Sequence, residues 1–268
     1  MRSLIRSSLT FASFALLTTL ALLASSMAVA GNFSVSPVRL FMKPTERVIS
    51  LTIINHGDTV LTLETELTSW KQNQDGSFNQ QPTEDVIVAP PQMRLAAKAR
   101  QVVRVARVIP ATSGAQMTYR LLVREVPEAG PPKPGYNVNL ALAFSIPIFI
   151  TPPGLKHDVS CKLASVPPAP PASAPKLAGM PEAPKSWMIA RCDNAGNTHA
   201  LITSIKLLDT NGAELAGTRQ PGYTLVNSGR NFEIFKTTDS QALPQSGLRL
   251  SIIHDDNTQQ SVNVALPQ

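Results

Sequence analysis

Val138-Asn139-Leu140-Ala141-Leu142-Ala143-Phe144-Ser145-Ile146-Pro147-Ile148-Phe149-Ile150, closed by Pro152-Pro153, is the stretch that decides how this chain folds. Side chains on a strand alternate between two faces, so Val138, Leu140, Leu142 and Phe144 form one apolar row. Asn139, Ala141, Ala143 and Ser145 give the opposite face small residues. No charge occurs between 138 and 150. Pro147 cannot donate a ladder hydrogen bond, which places the segment at a sheet edge. An apolar edge invites aggregation unless something is meant to pair with it. The edge is therefore a candidate working surface.

Working outward, strand-like runs recur every ten to fifteen residues or so: 33–41, 48–54, 60–70, 86–89, 101–108 and 119–126, then the opening stretch. Turn signals separate them, such as Asn55-His56-Gly57-Asp58 and Asp75-Gly76. Seven short strands of this kind predict an immunoglobulin-like β-sandwich. Beyond Pro152-Pro153-Gly154 the signature repeats at 157–165, 187–193, 200–208, 224–226, 231–236, 248–254 and 260–266, with Asp209-Thr210-Asn211-Gly212 and Asp255-Asp256-Asn257 as hairpin turns. The chain thus reads as all-β, two immunoglobulin-like β-sandwich domains, at 31–152 (edge strand 137–150) and 153–268. A loop at 166–185 carries seven prolines from Pro167 to Pro184 and cannot build a core.

Residues 1–30 read as a signal peptide: Arg2 and Arg6, an apolar run from Leu9 to Ala24, and Ala28-Val29-Ala30 for cleavage. Nothing later is long and apolar enough to span a bilayer, so an exported soluble chain without an integral membrane span is expected. Cleavage removes two charges from the formal +6, leaving +4, too weak and scattered for nucleic acid. In an exported chain the only two cysteines, Cys161 and Cys192, are expected to form one disulfide. Closing a loop of that length stabilises by about 3–4 kcal/mol on the chain-entropy argument.

The residues give no enzyme. His56, His157, His199 and His254 stand singly, without metal-ligand spacing, so no metal site is expected. No Gly-x-Ser-x-Gly, phosphate-cradling loop or reactive cysteine context occurs. Trp70 and Trp187 lie in strand-like segments and read as core.

In order and spacing, Ser36-Pro37-Val38-Arg39-Leu40, then Val86 to Pro91 leading into Arg94-Leu95, Gln101-Val102-Val103-Arg104-Val105, Leu122-Val123-Arg124-Glu125-Val126-Pro127 and the opening strand resemble the periplasmic pilus-assembly chaperones of the chaperone–usher pathway, the PapD-like family. The resemblance covers most of 33–153 and, more loosely, the second domain. It implies two immunoglobulin-like domains set as a boomerang and located in the periplasm. It implies a partner too: a pilus or fimbrial subunit lacking its last strand, which the chaperone completes by donor-strand complementation before delivery to an outer-membrane usher. No cofactor is implied. Val138, Leu140, Leu142 and Phe144 would then fill the subunit groove, contributing roughly 6–12 kcal/mol before ordering costs.

The family grips the subunit's terminal carboxylate with two cations. One matches Arg39, suited to bidentate binding. Pro147 stands where the other, a lysine, is expected, leaving Arg120, Arg124 or Lys156 as substitutes. Glu125 and Asp255 match acidic members of the interdomain salt bridge, whereas Thr151 replaces its arginine. These departures mark a divergent branch. A structural or adhesive exported β-sandwich surface protein is the alternative. Such a subunit would carry an alternating apolar extension before its first strand, and here the first strand begins almost at the cleavage point.

Overall fold

The computed structural model describes residues 33–110, 114–127, 141–166, 186–237, 244 and 246–267. The leader, most of the proline-rich loop, Val138 and Leu140 lie outside them. Nine strands pair before the edge strand: β1 (Phe33–Ser36), β2 (Leu40–Met42), β3 (Val48–Asn55), β4 (Leu61–Gln72), β5 (Phe78–Pro82), β6 (Val86–Ala89), β7 (Gln92–Leu95), β8 (Arg100–Arg107) and β9 (Met117–Glu125). The edge strand is β10 (Ala143–Ile150). One sheet runs β1-β3-β8-β6 and the other β2-β10-β9-β4-β5, with β7 also on β4.

Alternation explains the layers. Leu51 and Ile53 on β3, Val103 and Val105 on β8, and Tyr119, Leu121 and Val123 on β9 all point into one buried core with Ile146, Ile148 and Ile150. The single run expected over 33–41 is instead two strands. At Pro37 the chain leaves the first sheet, and β2 joins the second by pairing parallel with β10, Leu40 beside Ile148.

The second sandwich contains β11 (Val159–Ala164), β12 (Met188–Asn194), β13 (Ala200–Leu208), β14 (Glu214–Gly217), β15 (Gly222–Thr224), β16 (Ser228–Lys236), β17 (Leu248–His254) and β18 (Gln259–Val264). They run β11-β12-β16-β14-β13-β17-β18, with β15 on β13. β16 pairs with β12 and then passes to β14 at Ala216–Lys236, linking the two layers around a second core. Cys161 and Cys192 face each other directly on β11 and β12, Cα atoms 4.1 Å apart, and are disulfide-bonded. No helix occurs among the described residues, and so none there is long and apolar enough to cross a membrane.

One device is used in both sandwiches. Asn55, buried at the end of β3, donates Nδ2 hydrogen bonds to the Thr59 and Ala96 carbonyls and accepts from the Gly57 amide. Asn194, buried at the end of β12, donates to the Thr198 and Thr224 carbonyls and accepts from the Gly196 amide. A buried amide satisfied on both its oxygen and nitrogen sides pins the following turn.

Candidate functional site

β10 pairs with β9 without interruption from Ala143 to Ile150, but β2 covers its other side only at Ile148–Ile150. Among the described residues no strand covers that side of 143–147. The Leu142 carbonyl accepts from the Glu125 amide, so even-numbered backbone groups face β9. The Thr151 amide donates to the Met42 carbonyl, so odd-numbered groups face the β2 side. The amides of Ala143 and Ser145 therefore point to the open edge, and Pro147 is the residue there that lacks one. Leu142 and Phe144 are half-buried on the sandwich-facing side, with Phe144 edge-on to Phe33 at 5.1 Å.

The open edge stops between two arginines. Arg39 immediately precedes Leu40, which pairs with Ile148, and so lies beside Pro147. Arg120 on β9 is the direct cross-strand partner of Pro147. Its Nη1 donates to the carbonyl of Ser145 at 3.1 Å and to its hydroxyl at 3.2 Å. Its guanidinium lies 4.1 Å from the ring centres of both Trp70 and Phe78, in cation–π contact. Arg120 is 7% exposed and, among the described residues, has no carboxylate partner. Burial pulls its pKa down to about 10. Arg120 Nε, Trp70 Nε1 and Gln72 Nε2 are buried donors without a hydrogen-bond partner among the described residues. A cluster of spare N–H groups favours an anion.

Of the three candidate second cations, Arg120 is the one that faces the junction. Arg124 is paired with Glu64, and Lys156 is exposed on the connector. Arg39 meets Asp255 of the second sandwich, Nη1 to Oδ2 at 2.7 Å. That contact raises its pKa above the ordinary arginine value. Glu125 requires a correction. β9 enters the junction at its start, where the Gln116 amide donates to the Asn197 carbonyl, and Glu125 ends the strand roughly 25 Å away. Its Oε2 lies 3.4 Å from the Leu142 amide, far from the second sandwich. Thr151 holds the connector instead, its amide and hydroxyl both donating to the Met42 carbonyl.

Sequence reasoning missed the aromatic joint between the sandwiches. Phe149, fully buried, stacks on His199 at 3.8 Å and on Phe41 at 5.2 Å, with Trp70 and Tyr223 against the same cluster. Trp70 is buried as expected, but in this joint rather than in the first core. The β4–β5 hairpin adds polar contacts: the Asn231 amide donates to the Gln74 carbonyl and the Leu225 amide to Gln72 Oε1. Gly76 lies at φ +85°, where glycine is favoured, and a Cβ there would meet the Arg230 guanidinium at 3.1 Å. The available signal was Phe149 itself, a large apolar side chain on the face opposite the apolar row.

Burial pushes the His199 pKa down to about 4. The folded state thus prefers the neutral ring, while the unfolded chain takes up a proton near 6.5. The stabilisation is complete above pH 6.5 and is lost as pH falls toward 4, by up to about 3 kcal/mol. Denaturant titrations at pH 7.5 and 4.5 should show this loss, and His199→Phe should reduce it. An equal loss in the variant refutes the assignment.

Residues 32–156 match the family described as pili and flagellar-assembly chaperone, PapD N-terminal domain. The first sandwich is thus similar to that family, and the chain resembles a divergent PapD-like chaperone. Solved structures agree on the fold. The CsuC–CsuE chaperone–tip adhesion subunit pre-assembly complex of Acinetobacter baumannii aligns at 18% identity over 89% of this chain and 100% of the other, TM-score 0.60. The Escherichia coli chaperone DraB aligns at 17% identity over 88% and 96%, TM-score 0.52. The Pseudomonas aeruginosa CupB2 chaperone aligns at 16% over 87% and 100%, TM-score 0.51. No curated protein sequence matches the chain.

Proposed function

We propose that the protein is a periplasmic chaperone that lends the open edge of β10 to a pilus or fimbrial subunit lacking a strand, and passes that guest to an outer-membrane usher. The observation that carries this reading is the edge at 143–147, which no strand among the described residues covers on one side and which β2 ends between Arg39 and Arg120. A missing strand leaves a guest with unpaired backbone groups and an apolar trough, and β-strand addition repairs both. Val138, Leu140, Leu142 and Phe144 are the row offered to the trough, and the units divide after residue 152.

The direction of pairing follows from the cations. A guest whose C-terminal carboxylate reaches Arg39 and Arg120 must run toward Pro147, parallel to β10. Arg120 thereby takes over the role that a lysine at position 147 would have. Two guanidiniums flanking one terminus provide charge-assisted hydrogen bonds roughly twice as strong as neutral ones.

The test is periplasmic co-expression with candidate subunits, scored by recovery of a one-to-one complex. Ala143→Pro removes an outward amide at an exposed position without touching the β9 ladder. It should lower complex recovery tenfold or more, the loss of about one ladder bond plus a steric block, while the free protein's denaturation midpoint hardly moves. Undiminished recovery with Ala143→Pro refutes strand addition at this edge.

A further inference from the structure

The ion pair between Arg39 and Asp255 stands where guest capture is placed above. Asp255 lies in the turn after β17, its amide donating to the Leu201 carbonyl and the Asn257 amide closing the turn on His254. Its carboxylate is therefore held by the second sandwich, while Arg39 belongs to the first. The side chains are 39% and 37% exposed, so another anion can reach the pair from solvent. The phenol of Tyr223 lies close enough to interact with both Arg39 and Arg120. Three guanidiniums thus approach Tyr223: Arg39 and Arg120 at its phenol, and Arg230, whose Nη1 donates to its backbone carbonyl at 3.4 Å. Among the described residues Asp255 is the one carboxylate paired with any of the three.

We propose that Asp255 is a placeholder for the guest's C-terminal carboxylate: it occupies Arg39 in the free protein and is displaced on capture, so that capture releases the contact between the two sandwiches. This rests on the function proposed above. A second carboxylate arriving at Arg39 while Asp255 remains would place like charges side by side. The two competitors are unequal. Asp255 is paired with Arg39, whereas a terminus arriving along the open edge meets Arg39 and Arg120 together. An exposed ion pair of this kind is worth at most about a fivefold change in an equilibrium constant. The barrier to exchange is thus small enough for a guest to overcome, yet large enough to hold the pair in its absence.

The test uses the full chain and an N-terminally labelled octapeptide of alternating valine and threonine, with a free C-terminal carboxylate or as its amide. Asp255→Asn keeps the shape of the side chain and removes its charge. It should bind the acid peptide about three- to fivefold more tightly than the native protein does, and the amide equally. Unchanged or weaker acid binding in Asp255→Asn overturns the placeholder. Arg39→Ala and Arg120→Leu separate the two readings. If neither reduces the preference for acid over amide, the anchor fails and takes the placeholder with it. If both reduce it while Asp255→Asn gains nothing, the placeholder alone fails. A spin-label distance between the sandwiches provides the second readout. Its distribution should broaden in guest-free Asp255→Asn, and in the native protein on adding the acid peptide. A distribution unmoved by the acid peptide overturns the coupling of capture to release.

Discussion

With Arg120 replaced by leucine, guest recovery falls about thirtyfold or more while the free protein becomes no less stable. The two effects have opposite signs because Arg120 is a buried cation without a carboxylate partner among the described residues. Removing one member of a buried charge pair in a complex costs about 2–5 kcal/mol, which is thirtyfold at its lower end. In the free protein the same charge is met by Trp70, Phe78, Ser145 and the Tyr223 phenol, none of them a carboxylate. Replacing a desolvated charge with an apolar group of similar volume is often neutral or stabilising. Denaturant midpoints and complex yields on one set of preparations check both halves. A destabilised variant that still captures its guest would show that Arg120 is a packing residue.

Phe149→Ala has the largest effect on stability. The ring is fully buried and touches aromatic groups from both sandwiches, with His199 stacked on it at 12°. Truncating a buried phenylalanine costs about 3–5 kcal/mol. The loss falls on the joint, because Phe149 faces away from the first core while Ile148 and Ile150 remain in it. Calorimetry should resolve two transitions where the native protein gives one, with far-ultraviolet circular dichroism preserved. A loss below about 1 kcal/mol, or a transition that stays single, contradicts a joint built on this ring.

The strands were legible because alternation is local: Val48 to Ile54 and Gln101 to Val108 announce their buried faces within eight residues. The edge strand announced itself by lacking a charged face and by Pro147. What could not be read depends on distance along the chain. Arg39 meets Asp255 across 216 positions. Nothing local distinguishes Asp255, paired with Arg39, from Glu125, which ends β9 on the far side. The choice of Arg120 over Arg124 turns on strand register: both point off the same face of β9, and only one lies opposite Pro147. The Pro37 break between β1 and β2 was also hidden, since Phe33, Val35, Val38, Leu40 and Phe41 read as one apolar run while its two halves serve different sheets. The paired Asn-x-Gly motifs at Asn55 and Asn194 were visible, but their shared role emerges only when each amide is seen buried.

Under the proposed strand addition, the stop formed by Pro147 and the start of β2 turns the open edge into a ruler. A strand that must end against a fixed wall is measured from its terminus, not from its middle. Guests of different groove lengths would all be aligned from that one end. A slip of a single residue would turn every side chain onto the wrong face, and it would also pull the terminal carboxylate about 3.3 Å away from the arginines. Register and charge thus reject the same error, and a chaperone built this way can be permissive about a guest's interior while remaining strict about where its chain ends.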